Sequence, residues 1–563
     1  MTMETLMHPS PLGKKTLKNT SYQKAYLLSI LGLAIYCTLF GLHCGEPLFG
    51  DECWTPRIIN SYIQGSIPAP GVEMLYHPPL HGILLAAFSK IGGGSLPVIR
   101  LVGFLCHLAA AFLLFYSLSR FTEGWSYRPH LAFFLYLTHP LTVQSSLILD
   151  IDTGLLVPTI FLLFTVLVLN LPFQASKTIV ASFLAFSTKL TTPFPIAFFG
   201  ICTPLRSDRR ERTKKLLGIL LGMTATFLLI VATASYLNCS WTDPFTYALS
   251  AFARKSDWDI TRVLLSLLRI TLWFSPFLML LAGWAIYLSF REDDSRLRAT
   301  SLTILIVFLA YLIVGGVTHG YPKYHIPLLP LLFFLVGLHF LSSKDLPSLK
   351  LPFWFALILV CSYIFGFIMP DPLLLVNYHF REYLVVGERM KDLYYGASTI
   401  GGLLFFTPVV IGLLLRLLFP KNPLSGILAA ALLVCTIGYS LGMDISQVRA
   451  AYVTRYCYGE RGTVELASLV RQLSLNQSAI VPEHIQILAG VETDRLIPPG
   501  FWNNVTGVVH DLENPDVKLF AYSVSYNTVD QVRNFRRNEK LKKTLTTGFN
   551  YKKIGTFDTW QRE

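Results

Sequence analysis

Long apolar runs separated by short polar steps recur along the chain as far as about Ser440. Crossing about 30 Å of hydrocarbon takes roughly 20 residues of helix. Runs near that length lie at 25–42, 97–118, 129–149, 153–171, 216–237, 264–290, 299–317, 325–342, 351–369, 398–419 and 423–443. Two shorter runs, 177–188 and 191–205, are joined by the polar step Lys189-Leu190-Thr191-Thr192 and read as a hairpin. Counting both arms, the pattern predicts a polytopic α-helical membrane protein with about 13 transmembrane helices.

After Asp444 the pattern changes to short alternating stretches, Ser478-Ala479-Ile480-Val481 and Val517-Lys518-Leu519-Phe520-Ala521-Tyr522, with a helical stretch from Gly462 to Leu473. A small soluble α/β domain over 444–563 is expected to follow a membrane domain over 1–443. No internal repeat or low-complexity segment stands out.

Composition agrees. Of 563 residues, 53% are hydrophobic and only 14% charged, against about 25% charged in a soluble chain. The net charge of +13 would raise the question of nucleic acid in a soluble protein. Here placement matters more, and no nucleic-acid partner is expected. Lys14, Lys15, Lys18 and Lys24, the basic cluster from Arg206 to Lys215, and Arg291, Arg296 and Arg298 all fall on one side if the crossings number thirteen. The positive-inside rule makes that side the cytoplasm. The chain is then a multi-pass protein of the plasma (inner) membrane, with a cytoplasmic N-terminus and an extracytoplasmic C-terminal domain. The run from Tyr26 to Leu42 lacks a small-x-small cleavage pattern and is expected to be a retained helix. Cys44 and Cys53 share the first outer loop, where an oxidising compartment would let them pair.

Ionisable residues beside the membrane are costly and point to function. They gather in the outer segments, chiefly 43–96 and 149–153. Asp51 and Glu52 follow the first span; adjacent carboxylates repel, which suits a general base, although either could also cap a helix starting near Trp54-Thr55-Pro56. His77, in Tyr76-His77-Pro78-Pro79-Leu80-His81, is held by two prolines at the membrane surface, as a hydrogen-bonding turn residue. No HxxxH or CxxC pattern supports a metal there.

Asp150 and Asp152 flank Ile151; on an extended segment they share a face that can bind a divalent cation or a pair of sugar hydroxyls, and Asp152 could instead cap the next span. No other cofactor is suggested. Arg100, Lys189 and Lys323 lie near the same outer face, the last in Gly320-Tyr321-Pro322-Lys323-Tyr324. Each could snorkel to headgroups. Together they favour an anionic ligand such as a phosphate.

The order of these motifs is Asp-Glu after the first span, His-Pro-Pro-Leu, Arg-Leu opening the next helix, an Asp after the third, a Lys-Leu-Thr tip and Lys-Tyr-x-x-Pro-x-x-Pro-Leu. It resembles the integral-membrane glycosyltransferases of the C superfamily, in the branch joining protein O-mannosyltransferases and the lipid A aminoarabinose transferase. The likeness spans residues 25–345. It implies Asp51 as catalytic base with Glu52 beside it, and Asp150 or Asp152 at the second acidic position. Lys189 and Lys323 become ligands of the donor phosphate, with Arg100 nearby, and His77 and Tyr324 line the substrate site. Many relatives carry Arg where Lys323 stands, so a point charge replaces a bidentate contact. The implied donor is a polyprenyl-phosphate-linked sugar; the acceptor is a lipid, glycan or protein, and membrane lipids surround the site. The competing expectation is a lipid or sugar transporter or flippase, which calls for broken helices and an inverted repeat.

Overall fold

In the computed structural model the described residues are 19–45, 55–66, 75–122, 127–169, 175–202, 209–253, 260–313, 322–340, 353–369, 424–449, 462–473, 477–481, 485, 505–522, 535–555 and 557–562. Among them, six helices are long and apolar enough to cross a membrane: Ala25–His43, Leu96–Phe121, Glu211–Leu237, Ser295–Ile313, Lys323–Phe340 and Ile427–Ser446. The expected hairpin is present as Ala175–Thr188 and Pro193–Cys202. The spans expected at 153–171 and 351–369 are the shorter helices Leu156–Leu167 and Phe353–Ile368. The one expected at 398–419 lies outside the described residues.

Two expected spans are each broken in two, and the breaks meet. Residues 129–149 form Tyr127–Leu137 and Pro140–Leu147, interrupted at Thr138-His139. Residues 264–290 fall within Ile260–Trp273 and Pro276–Arg291, which bend by 99°. Proline follows both breaks; it lacks the amide hydrogen and its ring clashes with the preceding turn. Ser275 adopts φ 68°, completing the second corner. A break in lipid frees backbone carbonyls at several kcal/mol each unless they find partners. His139 Nε2 donates to Phe274 O at 3.1 Å and the Tyr439 hydroxyl donates to Leu272 O at 2.6 Å. Because His139 Nδ1 accepts from the amide of Leu141 at 3.2 Å, its proton sits on Nε2, where the carbonyl needs it.

One continuous apolar core joins these helices, including the fully buried Leu114, Phe161, Phe164, Trp273 and Phe333. Leu156–Leu167 is buried on nearly every side, and so reads as apolar all round. Phe353–Ile368 packs closely on Leu424–Arg449, which runs six residues past the expected end at 443. Gly366, Gly438 and Gly442 line the crossing, and a methyl at any of them would strike the opposite backbone or Ser362. Small residues at a membrane helix interface permit that approach.

From Gly462 onward, short strands build one sheet in the order β1-β2-β4-β3, with β1 Ser478–Ile480, β2 Val517–Tyr522, β3 Asn550–Ile554 and β4 Phe557–Gln561. β1 is parallel to β2, and the other pairs are antiparallel. Helix Thr463–Gln472 packs on one face through Leu466 and Val470. The helices Val505–Glu513 and Glu539–Gly548 cover the other through Val508, Leu512 and Leu541. Cys44 carries a free thiol near Gly41 O, at 3.6 Å, in place of the expected disulfide; Cys53 lies outside the described residues.

Candidate active-site cavity

A cavity of about 270 Å³ opens where the segments around Tyr76, Asp150, Lys189 and Lys323 converge. Its wall takes residues from the helix Thr55–Gln64, the turn from Tyr76 to Gly82, the Asp150–Asp152 loop, the Lys189 tip, the helix Asp243–Ala253, Tyr311 and the Lys323–Leu328 3-10 turn. Gly82 decides one side of it. A methyl there would collide with the Tyr62 ring, so the glycine lets Thr55–Gln64 lie against Leu80–Ile91.

The acidic loop is built by its own side chains. Asp150 Oδ1 accepts from the Asp152 amide at 2.8 Å, and the Gly154 amide donates to Asp150 O at 3.0 Å, a tight Asx turn. Thr153 Oγ1 bridges Ile148 O and Asp150 O, each at 3.2 Å. From the Leu96–Phe121 helix, His107 Nε2 donates to Thr153 O at 2.8 Å, and its Nδ1 stands 2.7 Å from the Tyr136 hydroxyl. A carbonyl can only accept, so Nε2 carries the proton and Nδ1 accepts from the tyrosine. The next helix starts at Leu156 without a side-chain cap, which overturns the capping role open to Asp152.

Freed from capping, both carboxylates meet lysines. Lys189 Nζ lies 2.5 Å from Asp152 Oδ1 with both side chains buried, and Lys323 Nζ lies 3.0 Å from Asp150 Oδ2. Burial opposes charge on Lys189, but Asp152 outweighs it and raises its pKa above the ordinary lysine value. Burial likewise works against an ionised Asp150, yet Lys323 and the Asp152 amide hold its pKa down at about 2. Burial, and then Lys189, push His77 down to about 3, so it is neutral.

Aromatic rings form the floor. Tyr311 and Tyr324 stack with centroids 5.4 Å apart, and Lys189 stands over both rings, 5.4 and 4.7 Å from their centroids. Lys323 lies 5.3 Å from the Tyr324 centroid. Such cation–π contacts hold an ammonium without consuming its hydrogen-bond donors. The Tyr311 hydroxyl is 2.5 Å from Thr192 Oγ1 at the hairpin tip. On the far wall, Tyr247 meets His77 edge-on at 5.2 Å.

His77, Asp150, Asp152, Lys189, Lys323 and Tyr324 are thus brought into one wall from positions scattered over some 250 residues. Asp51 and Glu52 lie outside the described residues. Arg100 stands apart from the cavity wall. It is 1% exposed and donates from Nη1 to His43 O at 3.4 Å and Cys44 O at 3.2 Å. There it caps the C-terminal carbonyls of the first helix, a common use of arginine. Tyr247 and Tyr311 line the wall without having been singled out by the sequence pattern, since nothing local to either position signals it. Among the described residues no three His, Cys, Asp or Glu side chains are grouped to hold a metal ion. The acidic pair faces lysines.

No protein-family model matches the sequence, and no curated protein matches it. Solved structures do. ArnT from Cupriavidus metallidurans in the apo state is 12% identical, with a TM-score of 0.60 over 96% of this chain and 98% of that one. The same protein bound to undecaprenyl phosphate is 13% identical, with a TM-score of 0.59 over the same shares. The chain therefore shares the fold of these ArnT structures over nearly its whole length.

Proposed function

We propose that the protein is a membrane glycosyltransferase that moves a monosaccharide from a polyprenyl-phosphate donor to a hydroxyl of a lipid, glycan or protein on the outer face. The observation that carries this reading is the pairing of one buried and one half-buried lysine with two carboxylates over one aromatic floor. The acceptor hydroxyl gives its proton to Asp51 and attacks the anomeric carbon. The bond from that carbon to the phosphate oxygen breaks, the lipid phosphate leaves with the electron pair, and the anomeric centre inverts. Lys189 and Lys323 meet the charge that grows on the leaving oxygen, which favours the transition state over the ground state.

The donor class follows from surroundings. The sequence carries no Gly-rich turn of the dinucleotide-binding or P-loop kind, and a polyprenyl tail beside apolar helices gains about 0.8 kcal/mol per buried methylene. The structural likeness to an ArnT bound to undecaprenyl phosphate supports the same choice. A transporter reading gains something from the two broken helices, but the carbonyls of Leu272 and Phe274 at the second break are held by Tyr439 and His139 and lie apart from the cavity wall. The deciding measurement is transfer to membrane acceptors by the purified protein in nanodiscs. Polyprenyl-phosphate sugars should serve and nucleotide sugars should not; robust transfer from a nucleotide sugar without a lipid carrier would sink the reading.

A further inference from the structure

The cavity holds its cations already engaged. Lys189 and Asp152 are 8% and 4% exposed, Lys323 and Asp150 are 12% and 14% exposed, and each pair is within hydrogen-bond distance. A phosphate entering this wall adds negative charge beside two carboxylates. To gain a lysine it must draw that lysine away from an aspartate, and the aspartate is then left buried with its counter-charge shared. Losing a partner is expensive for a buried charge, so the aspartates compete with any phosphate for the same ammonium groups.

This competition bears most on the product. Transfer turns a phosphodiester of one negative charge into the phosphate monoester of the spent carrier, with about 1.5 to 2 charges at neutral pH. Two bare lysines would hold the monoester more tightly than the donor and stall the enzyme after one turnover. We propose that Asp150 and Asp152 act as built-in competitors that recapture Lys323 and Lys189 and so expel the spent polyprenyl phosphate.

The inference rests on the proposed function and separates from it experimentally. If the aspartates only orient the lysines, removing a carboxylate weakens phosphate binding. If they compete, removing one strengthens it. Binding of undecaprenyl phosphate to the full chain in nanodiscs is compared for the unaltered protein, Asp152→Asn and Asp150→Asn, with thermal unfolding as the check on folding. Asp150 belongs to the more open pair, and asparagine keeps the Oδ1 acceptor for the Asp152 amide, so this variant retains the loop. The expected result is binding about tenfold tighter, the effect of some 1.4 kcal/mol, in both variants. Tightening in one alone supports the competition and assigns it to that pair. Unchanged or weaker binding in both, with binding by the unaltered protein intact, overturns the inference and leaves the transferase reading standing. Failure of all three proteins to bind overturns both.

Discussion

His107 holds the carbonyl of Thr153 from 46 residues away, Nε2 to oxygen at 2.8 Å, inside a site that is fully buried. That single bond ties a membrane helix to the loop carrying Asp150 and Asp152. His107→Leu removes it and leaves a buried carbonyl unsatisfied, at about 1 to 3 kcal/mol. Turnover should fall about tenfold or more while the KM for donor rises less, and His107→Gln, which keeps a side-chain donor, should recover part of the loss. Equal losses in the two variants would mean that ring volume matters, not the hydrogen bond.

Lys189→Met strands Asp152, whose side chain is only 4% exposed. Breaking a buried pair by removing one partner typically costs about 3–5 kcal/mol, so the unfolding temperature should drop along with polyprenyl phosphate binding and turnover. Adding Asp152→Leu should restore the temperature but neither activity. Unchanged phosphate affinity in the single variant would remove Lys189 from the donor site.

Asp51→Asn should lower turnover by roughly 10² to 10⁴, the usual range for a general base, with expression and undecaprenyl phosphate binding preserved. Full activity would transfer the role to Glu52 or Asp152.

Acid should destabilise the protein over a defined window. His77 is pushed down to about 3 and His81 to about 4 in the fold, both by burial first. From the ordinary 6.5 down to those values, the unfolded chain binds protons that the folded chain does not. Stability is therefore fully present above about 6.5 and is lost as pH falls toward 4. Asp150, held at about 2, adds its loss only below the ordinary carboxylate range. The unfolding temperature should be level from pH 7 to 8 and lower at pH 4.5, and a His77→Gln, His81→Gln variant should show a shallower decline. An identical slope in that variant would place the acid sensitivity elsewhere.

Topology can be read with reporters. Fusions after Lys215 and after Glu563 should report opposite sides of the membrane, cytoplasmic and outer respectively. The same side for both would separate Asp51 from the C-terminal domain and remove the outer-face mechanism.

The chain by itself determined what depends on local composition and period. Apolar runs mark helices because a spanning segment must satisfy its own backbone; the hairpin with Lys189 at its tip and the strand β2 at Val517–Tyr522 stood where alternation and length put them. Hydropathy could not reveal that two runs are broken, because Thr138-His139 and Phe274-Ser275 read as tolerable steps in an apolar stretch. What holds the second break is a pair of partners from distant segments, His139 on the carbonyl of Phe274 and Tyr439 on that of Leu272. The same holds at the cavity. Spacing identified charged residues worth attention, but a charge near a membrane surface reads the same whether it binds a ligand, caps a helix or pairs with another. Only the tertiary structure separated Arg100, turned onto the end of the first helix, from Lys189 and Lys323, turned onto Asp152 and Asp150. It alone set Tyr311 beneath Lys189, since nothing local to position 311 records what lies over its ring.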